Sequence, residues 1–212
     1  MTKILLCIWL CLLSFSCEGL IRIGLIGDSV SLPWPVIPYL SYSARVQKQL
    51  EEEGHSSRWI NASQGGSTTE TALSRLKEMC VYEKPDILVI SLGINDGWSR
   101  RPYLDIFEDF SQTIQYALSE NILVLLGAVD FIPEQFENLT KKEKIYFSYF
   151  VFIFDFLQAQ YPEVIKFPFL TWALQYDQSY HTFDHVHLNA KGHEEVANSL
   201  YKVLLPSIIQ MK

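Results

Sequence analysis

Apolar runs and amphipathic stretches alternate along this chain. Ile21 to Ile26 is a short, β-branched-rich apolar run that ends in Gly27-Asp28-Ser29, which predicts a buried strand. Tyr42 to Glu53 has helical spacing and stops at Gly54. Trp59 to Ala62 predicts a second strand and Thr69 to Met79 a helix. Asp86 to Leu92 is almost continuously apolar, as suits a parallel strand covered on both faces. Helix Tyr103 to Ser119 and strand Ile122 to Gly127 follow, then a loop from Asp130 to Asn138. Thr140 and Glu143 have capping-box spacing at the start of a helix expected to run to about Gln160. Val164 to Phe167 is a fifth short strand. A last helix is expected from Ala190 to about Leu204, ended by Pro206. Strands that alternate with helices predict a parallel sheet between two helical layers, a three-layer α/β/α domain.

The helix from Thr140 to Gln160 is apolar nearly all round, more than one core face requires. Its surplus aromatics suggest cover for an apolar groove. The loop after the first strand holds Pro33, Pro35 and Pro38, so it cannot be helix interior, and Trp34 lies next to the serine.

The first 20 residues differ in kind. Lys3, the apolar stretch Ile4–Leu13 and the small residues at Ser14 and Ser16 have the layout of a secretory signal peptide over residues 1–16, extending at most to 20. The expected mature domain is a single one over residues 21–206, in a secreted, periplasmic or otherwise extracytoplasmic location. Cys17 follows the cleavage site as in lipoproteins, but those carry Leu three residues earlier where this chain has Ser14. Lipid anchoring through Cys17 is therefore not favoured.

Composition narrows the function. A chain of 212 residues with 49% hydrophobic and 19% charged residues has enough apolar material for one folded core. A formal charge of -7 argues against nucleic acid as a partner. Cys17 and Cys80, the cysteines left beyond the leader, are too few for a disulfide framework. No Cys/His spacing resembles a zinc site.

The chemistry sits at strand ends. Ser29 follows the first strand. Gly66 lies in Ser63–Thr69 after the second, Asn95 in Gly93–Gly97 after the third, and Asp184 and His187 precede the last helix. In open α/β sheets this edge binds ligands. A serine that cleaves esters needs a neutral imidazole, an acid to fix its tautomer, and donors for the oxyanion. Ser29, His187 and Asp184 would supply the first three. The Ser29 and Gly66 N–H groups and the Asn95 amide would be the donors. His185 competes for the role of base, but only His187 has an acid three residues before it. Asp96 is expected to brace its loop.

Gly27-Asp28-Ser29, Gly66 after Asn61-Ala62-Ser63, Gly93-Ile94-Asn95-Asp96 and Asp184-His185-Val186-His187 occur in the order of the four sequence blocks of the SGNH (GDSL-type) hydrolases. The chain most resembles their thioesterase I / lysophospholipase / arylesterase branch, from about Ile21 to Leu204. The resemblance implies a flavodoxin-like five-stranded parallel sheet of order 2-1-3-4-5. It implies a catalytic Ser29, Asp184 and His187, with an oxyanion hole of Ser29, Gly66 and Asn95, and neither metal nor cofactor. The implied substrate is a small-molecule acyl ester, thioester or lysophospholipid, with no stable protein partner. A carbohydrate O-deacetylase of the same fold and a non-catalytic binding module are the competing readings. Two positions depart from the family pattern: Pro33 stands where Gly is common, and His185 follows the triad Asp. Both bear on substrate shape more than on the reacting groups.

Overall fold

The computed structural model describes residues 19–130 and 140–211. The elements are β1 (Ile21–Gly27), α1 (Tyr42–Glu52), β2 (Ser57–Asn61), α2 (Ala72–Tyr82), β3 (Ile87–Ser91), α3 (Ile94–Ser99), α4 (Tyr103–Ser119), β4 (Leu123–Val129), α5 (Lys141–Phe150), α6 (Phe152–Gln160), β5 (Ile165–Leu170), α7 (Trp172–Tyr176) and α8 (Ala190–Gln210). The five strands form one sheet in the order β2-β1-β3-β4-β5, and every pairing is parallel. Helices α1 and α8 pack together on one face, and α2, α4 and α6 cover the other. This is the expected three-layer fold.

Burial explains the strand compositions. All five residues of β3 are buried, as is most of β1 and β4, because helices cover both faces of the sheet. The register sets Gly27 opposite Ser91, so the loops leaving β1 and β3 start at the same level. The expected signal peptide and Cys17 lie outside the described residues, as do residues 131–139 of the expected loop. Among the described residues no helix is long and apolar enough to cross a membrane.

Two helix expectations are corrected. The helix expected from Thr140 to Gln160 is divided at Val151 into α5 and α6. Just before the break, Ser148 Oγ donates to the Lys144 carbonyl at 2.9 Å, a back-bond that bends helices. The side chain of Glu143, and with it the capping box, lies outside the described residues. Pro206 does not end the last helix, and α8 continues to Gln210. A mid-helix proline costs about 3 kcal/mol. Here Ser207 Oγ donates to the Val203 carbonyl at 2.7 Å, and Ile208 is fully buried. Burying an isoleucine contributes about 1.5–3 kcal/mol, enough to hold the last turn in place.

Candidate active site

The turn off β1 is built by exclusion. A Cβ on Gly27 would lie 2.1 Å from Ser31 Oγ and 2.5 Å from Ser31 Cβ, so no other residue fits there. Asp28 caps the single 3-10 turn Ser29–Ser31, and its Oδ1 accepts from the Val30 N–H at 2.9 Å. Behind the turn, the Tyr42 hydroxyl donates to Ser31 Oγ at 2.7 Å, and Asn61 Nδ2 donates to the Ser31 carbonyl at 3.1 Å. Arg75 ties the ends of β1 and β2 together by donating to the carbonyls of Gly27 and Ala62, both at 2.9 Å. The turn carrying Ser29 is therefore fixed from several directions. Ser29 itself stays half-buried and reachable.

Asp28 is fully buried, and its Oδ2 has no hydrogen-bond partner among the described residues. Desolvation pushes its pKa up to about 7, against the pull of the Val30 N–H. Neighbouring Asp96 adds to the rise, and Arg75 opposes it.

The loop after β2 runs beside the serine: a Cβ on Gly65 would sit 4.0 Å from Ser29 Cβ. Gly66 has φ +73, a left-handed backbone that strains any side chain, and the space over its Cα is open. Asn95 stands in the first turn of α3, where the sequence suggested a loop. Six residues are too few to show a helical period. One Asn95 amide hydrogen goes to the Ser67 carbonyl at 2.9 Å, which joins the β2 and β3 loops. The amide has a second hydrogen to give.

Under these two loops lies a buried ionic cluster. Asp96, with no exposed surface, accepts from the Thr69 N–H at 3.0 Å, from Thr69 Oγ1 at 2.8 Å and from Arg101 at 2.5 Å. Arg101 also donates to Asp109 Oδ2 at 2.9 Å. The bracing role expected of Asp96 is thus visible. Thr69 and Arg101 were not legible as its partners, nor Asp109 as theirs, because they come from three separate segments and carry no shared spacing.

The fourth loop carries Asp184 and His187. Asp184 Oδ2 lies 2.8 Å from His187 Nδ1. Its Oδ1 accepts from the N–H groups of Val186 at 3.0 Å and His187 at 2.9 Å, and from Thr182 Oγ1 at 2.8 Å. Desolvation disfavours the carboxylate, but these donors outweigh it and hold Asp184 well below the ordinary carboxylate range. The His187 ring meets Trp34 edge-on, with centroids 4.9 Å apart. His185, at φ +57, pairs its Nδ1 with Gln178 Oε1 instead.

Ser29 and Asn95 line one cavity of about 150 Å³, together with Val30, Ile94, Trp98 and Leu188. His185 and Val186, next to His187 in the chain, line it too. Ser29, Gly66, Asp184 and His187 lie on the turns and loops that follow strand ends, and Asn95 on the first turn of α3, all at one edge of the sheet.

The aromatic surplus after Thr140 divides between two places, and neither is this cavity. Phe147, Phe150, Phe154 and Leu157 are buried in the core. Tyr149, Phe152 and Phe156 line a separate groove of about 800 Å³, opposite Tyr103, Leu104 and Phe107 of α4.

A family model described as the GDSL-like Lipase/Acylhydrolase family matches residues 25–195. The chain belongs to that family. It is 33% identical over 108 residues to "Esterase TesA" of Pseudomonas aeruginosa, a match covering 51% of this chain and 54% of the relative. It is 27% identical over 121 residues to an "Arylesterase" of Vibrio mimicus, covering 57% and 60%. The chain spans little more than half the length of these curated relatives. Among solved structures, "Crystal Structure of TesA" superposes with a TM-score of 0.74 at 24% identity, covering 87% of this chain and 98% of that one, a likeness of fold.

Proposed function

We propose that this protein is a serine hydrolase of carboxylic esters or thioesters, working through an acyl-enzyme on Ser29. The observation that carries the reading is the Asp184–His187 pair, anchored by local donors on the same sheet edge as Ser29. In this mechanism Ser29 Oγ attacks the acyl carbon while His187 Nε2 takes its proton. Asp184, on Nδ1, fixes the tautomer and stabilises the imidazolium. The oxyanion forms against the Ser29 and Gly66 N–H groups and the second Asn95 amide hydrogen. Collapse expels the alcohol or thiol, which receives the proton from His187. Water then attacks the acyl-enzyme, with His187 again as base, and releases the acid.

The cavity supports an apolar acyl group, since Val30, Ile94, Leu170, Leu174 and Leu188 line it. Its volume of about 150 Å³ is well below the 300–1,000 Å³ of typical ligand pockets, which also supports the second reading, removal of acetyl from a carbohydrate. The signal-like pattern of residues 1–16 supports an extracytoplasmic site of action, and N-terminal sequencing of the protein from cell fractions tests it.

The central test is an organophosphonate probe, with turnover of p-nitrophenyl esters from acetate to palmitate. Ser29 should carry the label, and Ser29→Ala should lose kcat by at least about 10⁴-fold. His187→Ala should do the same, while His185→Ala keeps most activity. Near-normal turnover by Ser29→Ala would sink the mechanism. Rates that peak at acetate would move the substrate to the deacetylase reading.

A further inference from the structure

The edge that carries Ser29 is apolar beyond what its small cavity uses. From Ser29 to Ala44 the sequence has no charged residue, in a chain of net charge -7. In this stretch Trp34, Ile37 and Tyr39 are exposed, Tyr39 by 69%. From the loop after β5, Phe183 is 82% exposed and Val186 is also open to solvent. Trp98 projects from α3. All six residues lie between the end of a strand and the start of the next long helix, so topology puts them on the sheet edge that bears the site. Trp34 touches the His187 ring, and Trp98 and Val186 line the serine cavity. Val81 and Tyr82 are exposed too, but they lie at the end of α2 on the opposite edge, away from the serine cavity.

Exposed apolar patches of this kind mark interaction surfaces, and tryptophan and tyrosine favour the boundary between water and lipid. The cavity also limits the alternatives. At about 150 Å³ it holds only part of a fatty acyl chain, so the remainder needs apolar cover elsewhere. A lipid layer supplies that cover without a tunnel in the protein. The charge-free loop on an acidic protein favours an uncharged or zwitterionic surface over an anionic one.

We propose that Trp34, Ile37, Tyr39, Trp98, Phe183 and Val186 form a docking rim that seats the site on a zwitterionic phospholipid surface. The scissile ester then rises to Ser29 while the rest of the chain stays in the lipid. The substrate half of this inference rests on the ester-hydrolase reading. The docking half does not.

The test uses the full mature chain and flotation with phosphatidylcholine vesicles. Ser29→Ala should float as the wild type does, which separates docking from turnover. Ile37→Asp, Tyr39→Asp and Phe183→Ser should each weaken vesicle binding by at least about tenfold, since each removes a large apolar side chain from the contact. All three should keep wild-type turnover of monomeric p-nitrophenyl butyrate, which shows that they fold. Wild-type hydrolysis of lysophosphatidylcholine should rise above its micelle concentration, and the rim variants should lose that rise. Flotation only with anionic vesicles would overturn the proposal, as would retention on insoluble xylan without flotation. Unchanged flotation of the rim variants would also overturn it. Vesicle binding without any ester turnover would sink the ester-hydrolase reading and leave the rim standing.

Discussion

The two halves of the proposed site are held by different means. Ser29 and Gly66, on the segments after β1 and β2, and Asn95, at the start of α3, are tied to the sheet and to one another by long-range contacts. Gly27 admits no Cβ, Arg75 bridges two strand ends, and Asp96 joins Thr69 to Arg101 with no exposed surface. Asp184 and His187 sit on a partly exposed loop held mostly by its own residues. There, donors from Thr182, Val186 and His187 converge on one carboxylate, and Asn189 Nδ2 donates to the carbonyls of Ser179 and His181, both at 2.9 Å. The oxyanion side is thus preorganised by the fold. The base side is preorganised by one short segment. Electrostatic stabilisation of a transition state needs donors that do not reorganise, which fits the more rigid construction of the first half.

The largest test of this contrast is Asp184→Asn. It removes the charge facing His187 and can turn an amide donor toward Nδ1, favouring the wrong tautomer. A kcat loss of about 10⁴-fold is expected. Because the loop depends on the same carboxylate, loop hydrogen exchange should rise with little change in the sheet. A loss below tenfold would mean that the base is oriented by something else.

Asn95→Ala strikes the other half. Losing one oxyanion donor should lower kcat by about 10²–10³-fold and move KM far less. The Ser67 carbonyl also loses its donor, yet Asp96 and Thr69 still hold the loop, so folding should survive. An effect confined to KM would make Asn95 a substrate-binding residue.

Arg101→Ala should sharpen the contrast by acting at a distance. Arg101 touches Asp96, Thr69 and Asp109, and its loss leaves a buried carboxylate without its cation. Breaking a buried pair typically costs about 3–5 kcal/mol, and the partial exposure of Arg101 favours the lower end. Thermal unfolding would read that loss. A change in Tm below about 3 °C would show that the cluster does not hold the oxyanion side.

The smallest effect concerns pH. Asp28 has a folded pKa near 7, raised by burial, against about 3.9 in an unfolded chain. Between these values the folded protein keeps a proton that the unfolded chain has lost. Its contribution to stability is full below about pH 4 and is lost as pH rises through 7. Asp28→Asn has no such titration. Relative to the variant, wild-type Tm should therefore fall by a few degrees between pH 5 and 8. Parallel Tm curves would show that Asp28 titrates elsewhere.

The amino-acid pattern encodes the layered fold and the succession of its main strands and helices along the chain, because burial on two faces or one leaves a local apolar period. It also puts the proposed site residues at one edge, since Ser29, Gly66, Asn95, Asp184 and His187 all follow strand ends or precede a helix. The packed fold added what local spacing does not record. It joined Asp96 to Asp109 through Thr69 and Arg101, with Thr69 and Asp109 40 positions apart. It buried Asp28 with an oxygen that has no partner among the described residues. It sent Phe150 and Phe154 into the core and Phe152 and Phe156 to an outer groove, a choice set by which neighbours each helix face meets. It carried α8 past Pro206, because burial of Ile208 offsets a local penalty that the sequence shows alone. Each of these outcomes turns on contacts between distant segments, whose energies exceed the local preferences that periodicity records.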